Sequence, residues 1–277
     1  MLFVNNYKKT IFMAKKKRLA ESLDEEELAY ISEKMYPIKT NTIDFESCKV
    51  HIKCKNPHQK EFLKQLDDKN NVICFGEGAA GTGKSYISLA YSLKQLLNGG
   101  CEKITIIVPT CPSGGDGIEI GYLKGNYDEK IGPFLEADID TMKKILKKSG
   151  NSNYNEVIDY LIKDGKIDFQ IVNYIRGKSI NGIILVNECE QFTKENLKLI
   201  LTRIEDDDSG EDMLTKVIIT GDLTQCDRKL INNNKNKSGM EYAMDTLKDL
   251  DEVSITRFDN SDVVRSKIVS KILDLWD

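Results

Sequence analysis

Four runs of four or five apolar, mostly β-branched residues constrain this chain's fold more than any other feature: Val72–Phe75, Ile104–Val108, Ile183–Val186 and Val217–Thr220. Short runs rich in apolar and β-branched residues, without polar–apolar alternation, read as strands buried on both faces of a parallel sheet. Phe169–Val172 and Val253–Phe258 are weaker candidates of the same kind. Helical patterns fall between the strands. Ser85–Leu97 contains no breaker; Ile131, Leu135, Ile139, Met142 and Ile145 recur at helical spacing; and Leu197, Ile200, Leu201 and Ile204 follow Thr193, a candidate N-cap. A last stripe, Val264, Ile268, Ile272 and Leu275, opens after Ser261-Asp262. This alternation predicts an α/β fold, a doubly wound parallel sheet with helices on both faces. Ligands of such a sheet bind beyond the carboxyl ends of its strands.

The alternation starts only near residue 56. Residues 1–55 read as an N-terminal arm, part disordered and part helical, with one charged helix near 22–34. Residues 56–277 form the sheet domain. The arm begins with Lys8, Lys9, Lys15, Lys16, Lys17 and Arg18 and no acid among its first 18 residues, before Asp24–Glu27 reverses the sign. Such a block is a solvated tail more often than a docking element. The whole chain carries a net charge of −4, which argues against a binder that is basic overall but leaves room for a local basic channel. Apolar runs fall far short of the ~20 residues that cross a bilayer. The first 18 residues lack the pattern of a secretory signal. No membrane partner and a cytoplasmic location are expected. Seven cysteines form no C-x-x-C pair and, with His51 and His58, no zinc spacing, so they are read as reduced and structural.

Gly78-Ala-Ala-Gly-Thr-Gly-Lys-Ser85 sits between the first strand and the first long helix and fits G-x-x-x-x-G-K-[ST] without departure. Gly78, Gly81 and Gly83 let successive backbone N–H groups turn inward around phosphate oxygens, where side chains would obstruct. The helix N-terminus behind them adds free donors and a positive dipole end. This predicts a triphosphate cradle made of Gly78, Ala79, Ala80, Gly81, Thr82, Gly83, Lys84, Ser85 and Tyr86. Lys84 reaches the β- and γ-phosphates, and the Ser85 hydroxyl coordinates Mg²⁺. About twenty residues upstream, Gln59 is placed to read the adenine edge, with Phe62 as a stacking wall.

A P-loop hydrolase needs acids at the end of a second strand, one to hold Mg²⁺ through its waters and one to polarise the attacking water. Ile183–Val186 ends in Asn187-Glu188. Glu188 stands where the base belongs, and Asn187 stands where an aspartate is usual. Both are expected to meet the metal through water. The Asn187 amide brings no charge, so weaker metal binding or slower turnover is expected, and Asn187→Asp should lower the magnesium requirement. A third strand leads into Gly221-Asp222-Leu-Thr224-Gln225, whose Asp222 and Gln225 are placed to sense the γ-phosphate or position water.

Together these segments resemble the PhoH-like family, P-loop (RecA-like) ATPases akin to the first core domain of superfamily 1 helicases. The resemblance covers about residues 56–273. It is carried by the phosphate loop, Gly121-Tyr-Leu-Lys-Gly125 with Glu129-Lys130-Ile131 and Pro133, Tyr174-Ile-Arg176-Gly-Lys-Ser-Ile-Asn181, Leu201-Thr-Arg203-Ile204, Thr220–Gln225 with Asp227, Ser238-Gly239 and Asp262-Val-Val-Arg265. Four departures stand out: Asn187 for an aspartate, Glu190 for a glutamine, Ile118 for a glutamate, and Pro109-Thr110 for arginine-proline. The resemblance implies ATP hydrolysis with Mg²⁺, a link to RNA or single-stranded nucleic acid, and a homo-oligomer extending to a hexameric ring. Arg265 and Arg176 are the candidates for an arginine delivered to the γ-phosphate by a neighbouring subunit. The competing reading is a nucleotide-gated switch or assembly module with slow hydrolysis and no unwinding. A small-molecule kinase fits less well, because an acid after the second strand activates water where a kinase must exclude it.

Overall fold

The computed structural model describes residues 45, 47–109, 127–205, 214–226 and 237–264, with residues 127–134 and Asn173 as backbone only. The basic block, the charged helix expected near 22–34, Gly121–Gly125, Asp227, Arg265 and the stripe from Ile268 onward lie outside the described residues.

Every expected apolar run forms a strand: β1 (Ile73–Glu77), β2 (Ile104–Val108), β3 (Ile167–Ile171), β4 (Ile183–Val186), β5 (Lys216–Gly221) and β6 (Val253–Arg257). All neighbours pair in parallel, in the order β3-β2-β4-β5-β1-β6. β2 and β4 keep the boundaries read from sequence. β1 lies further along than Val72–Phe75, because backbone pairing with β5 and β6 carries Gly76 and Glu77 into the sheet despite their poor strand propensity. The weaker candidate at 169–172 starts earlier, at Ile167, and gives Val172 to a 3₁₀ turn.

The helices are α1 (Pro57–Asp67), α2 (Lys84–Leu97), α3 (Tyr127–Lys148), α4 (Tyr154–Lys163), α5 (Lys194–Leu201) and α6 (Gly239–Leu247). Successive strand residues face opposite ways. Phe75, Ile107, Ile184, Val186, Val217 and Ile219 share one core with Leu197 and Ile200 of α5 and Met240 and Met244 of α6. Cys74, Ile106, Leu185 and Ile218, also buried, point to the other face, where α1 and α2 lie against the sheet and α3 packs on α2. Both faces are therefore covered, which explains why the central strands are mostly apolar, with Thr105, Lys216 and Thr220 buried among them.

Local chemistry sets the helix starts. Asn56 caps α1 by accepting from the Gln59 N–H at 2.7 Å, with Pro57 in the first turn, where its missing N–H costs nothing. Thr193 caps α5 as expected. Beyond β6, the described part of the expected last helix is instead a 3₁₀ turn, Asn260–Asp262, followed by extended Val263. Among the described residues no helix is long and apolar enough to cross a membrane.

Candidate functional site

β4, β5 and β1 are consecutive in the sheet, so their carboxyl ends bring Asn187-Glu188, Asp222 and the Gly78–Ser85 loop side by side. Glu188, Asp222 and the loop from Ala80 to Ser85, Thr82 excepted, border a cavity of about 700 Å³. Lys53, Lys55, Lys144 and Lys148 line the same cavity.

The loop after β1 owes its shape to positions only glycine tolerates. Gly78 and Gly83 have φ of 143° and 89°. A Cβ on Gly78 would strike the Phe258 carbonyl, and one on Gly83 would come within 2.6 Å of the Gln59 amide. Gly83 precedes α2 without any side-chain cap, which leaves the first-turn N–H groups of that helix as donors for an anion. Lys84 is buried, and its Nζ donates to the carbonyls of Gly78 and of Ala79 (2.8 Å) and to Thr82 Oγ1 (3.3 Å). Burial lowers its pKa, opposed by the charges of Asp222, Glu190, Glu188 and Glu77. Ala80, Gly81, Ser85 and Tyr86 line the cavity, with the Lys148 ammonium 5.4 Å from the centre of the Tyr86 ring.

Gln59 and Phe62 are both held by contacts within the fold. Gln59 lines the cavity, yet both ends of its amide are engaged: Oε1 accepts from Lys55 N–H at 2.8 Å and Nε2 donates to the Thr82 carbonyl at 2.7 Å. These bonds brace the phosphate loop and leave the amide one further N–H and one further lone pair. Phe62 is no stacking wall. It is fully buried, edge-on to Phe258 at 5.7 Å between ring centres, and it fills the space that a Cβ on Gly76 would need.

The Asp222 carboxylate is a hub. It accepts from Ala80 N–H (3.1 Å), Gln225 Nε2 (2.7 Å), Thr224 N–H (3.0 Å) and Thr224 Oγ1 (2.6 Å), tying the loop after β5 to the cradle. Gln225 is thereby held at the cavity wall. At the end of β4, Glu188 is exposed and lines the cavity, with φ 52° and ψ 46°. It is the sole non-glycine residue at positive φ among those described, a conformation costing about 1 kcal/mol that recurs at functional positions.

Asn187 is buried behind this wall. Its Nδ2 donates to both carboxylate oxygens of Asp138 at 3.2 Å, and its Oδ1 accepts from Thr220 Oγ1 at 2.9 Å. Asp138 reaches it from α3, and burial pushes that carboxyl up to about 6. Sequence reasoning missed Asp138, which lies 49 residues before its partner and outside every motif read from the sequence. Ser85, Glu188 and the Asp138–Asn187 pair offer oxygen donors only, which suits a hard cation such as Mg²⁺.

Arg176 is not brought to the site. It is exposed beyond β3, the edge strand, four strand positions from β1, or about 19 Å at ordinary strand spacing.

The family model described as PhoH-like protein matches residues 51–277. The chain belongs to the PhoH-like family. It is similar to the PhoH-like protein of Mycobacterium tuberculosis, 32% identical over 226 residues, which cover 81% of this chain and 58% of that one. The PhoH-like protein of Bacillus subtilis is 30% identical over 227 residues, covering 82% and 64%. Protein PhoH of Escherichia coli is 28% identical over 230 residues, covering 81% and 58%. The chain thus spans about three fifths of the length of these relatives. Within the PhoH-like pattern, Glu190 stands at the glutamine position. It is buried, and its Oε2 accepts from Asp222 N–H at 3.0 Å. Burial, a hydrogen bond with Glu188 and the Glu188 charge raise its pKa to about 8.

Proposed function

We propose that this PhoH-like chain is a Mg²⁺-dependent ATPase whose turnover is coupled to RNA or single-stranded nucleic acid, acting as a helicase-like subunit of a homo-oligomer. One observation carries the proposal: a phosphate loop, an exposed acid and a water-orienting polar loop border one cavity from three adjacent strand ends.

Bound Mg·ATP would supply the electrophilic γ-phosphoryl group and a cation to offset its charge. Each protein group then has a defined task. The N–H groups of the 78–85 loop and the start of α2 would hold the phosphates, and Lys84, now on the loop carbonyls, would supply its charge to them. The Ser85 hydroxyl and the end of β4 would hold the metal and its waters. Glu188 accepts the proton of the attacking water. Gln225, fixed by Asp222, orients that water. The open, water-accessible position of Glu188 favours hydrolysis over transfer to a small-molecule acceptor.

The lysine wall supports the nucleic-acid part of the proposal, since a strand lying along Lys53, Lys55, Lys144 and Lys148 would have its phosphates neutralised beside the triphosphate. A nucleotide-gated switch with slow hydrolysis is favoured by one observation, the uncharged Asn187 at the end of β4.

Phosphate release by the purified chain, with and without single-stranded RNA, tests the reading. Glu188→Gln should keep ATP affinity and lose about 10²–10⁴ in turnover, and Lys84→Ala should lose both. RNA should stimulate the wild type, with stimulation falling as salt rises. Hydrolysis unchanged in both variants would discard the assignment. ATP-dependent assembly with no RNA response would favour the switch.

A further inference from the structure

A P-loop hydrolase carries an acid at the end of the strand that closes β4 here, and this chain carries Asn187. The charge is nevertheless present, delivered from another element. Both oxygens of Asp138 accept from Nδ2 of Asn187 at 3.2 Å, while Oδ1 of the amide accepts from the Thr220 hydroxyl at 2.9 Å. A carboxylate can only accept, so the amide nitrogen must face Asp138 and the amide oxygen Thr220. Aspartate at 187 could not make this contact. Its outer oxygen would lie about 3 Å from the Asp138 carboxylate, too close for both to be ionised. Positions 138 and 187 therefore accommodate one acid and one amide between them.

We propose that Asp138 is the acidic member of the metal-water site, standing in from α3 for the aspartate that β4 lacks. The charge has moved by one hydrogen bond while the site keeps its net charge. This rests on the Mg²⁺-ATPase reading above. Placement supports it: Thr141, one turn further along α3, lines the same cavity as Ser85 and Glu188. Asn187 then acts as a positioning residue, holding the Asp138 carboxylate against the sheet through Thr220. A purely structural clasp between α3 and β4 is the competing account, and it requires no charge.

The test uses the full chain as wild type, Asp138→Asn, Asn187→Asp and the double variant. Mn²⁺ serves as the probe, its free concentration read by electron paramagnetic resonance at saturating ADP. Affinity for a fluorescent ADP in EDTA is measured in parallel. Asp138→Asn should weaken Mn²⁺ binding about 10–100-fold with metal-free ADP affinity intact. Asn187→Asp alone should bind no more tightly than wild type. The double variant, with the pair reversed, should recover to within about threefold of wild type. Wild-type Mn²⁺ affinity in Asp138→Asn, or a double variant as weak as that single one, would overturn the proposal. If Asp138→Asn fails to fold, the double variant decides, because it keeps the Thr220 bond and reverses only the one between positions 138 and 187. Absence of ADP binding in EDTA by wild type would instead sink the ATPase reading, and this inference with it.

Discussion

Glu190 is a glutamic acid that behaves as a glutamine. With its pKa raised to about 8, chiefly by burial, it keeps a proton near neutrality; it donates to Glu188 and accepts from the Asp222 N–H at 3.0 Å. A glutamine amide offers the same donor and acceptor, so the departure from the PhoH-like pattern preserves the hydrogen bonding at a price in pH range. An unfolded glutamate ionises near its ordinary value of about 4.3. Between there and pH 8 the folded state binds the extra proton, so stability falls as pH rises through that window. Glu190→Gln should be near-neutral at pH 5 and stabilising by about 1–3 kcal/mol at pH 8, in urea unfolding with EDTA present. A variant whose stability tracks wild type at every pH would mean that Glu190 is already ionised in the fold.

At the scale of elements, the phosphate loop is clamped from outside its own motif. α1 reaches it through Gln59 to the Thr82 carbonyl, and the segment after β6 reaches it through Val264 N–H to the Gly81 carbonyl at 3.0 Å. These two braces join each other through Asn56 Nδ2 to the Asp262 carbonyl (3.1 Å) and His58 Nδ1 to Asp262 Oδ2 (2.6 Å). Gln59→Ala would strand the Lys55 N–H and the Thr82 carbonyl, costing about 1–3 kcal/mol of stability. If Gln59 acts as a brace, the same variant should weaken ATP and GTP binding equally. A shift in the ATP-to-GTP affinity ratio would restore the base-reading role expected from sequence. That contrast marks what the sequence discloses. Central strands such as Ile104–Val108 and Ile183–Val186 were legible because burial on both faces leaves few polar positions to blur them, and the glycine pattern at 78–85 was legible because few other structures need it. α4 and α6 went unread, since short helices depend on tertiary packing more than on their own periodicity. The Asp138–Asn187 pair was illegible for a different reason. Two polar residues 49 positions apart leave no local signal until the fold brings them together.

For the whole molecule, the question is whether one chain holds a complete site. Arg176 is exposed beyond an edge strand, about 19 Å from the cradle by strand spacing, so it serves a γ-phosphate only if that phosphate belongs to a neighbouring copy. A head-to-tail ring repeats one interface, and a shared site requires that interface to set this edge of one subunit against the cradle of the next. If the site is shared in this way, Arg176→Ala should bind ATP normally and lose about 10³-fold or more in turnover. Lys84→Ala should also be inactive, for want of its own cradle. Mixing the two in equal amounts leaves some interfaces with an intact lysine on one side and an intact arginine on the other. With random exchange, about a quarter of interfaces are whole, so mixed samples should regain about a quarter of wild-type hydrolysis. An Arg176→Ala protein as active as wild type would remove this arginine from the chemistry. Inactive singles that stay inactive when mixed, despite demonstrated subunit exchange, would mean that Arg176 acts within its own chain.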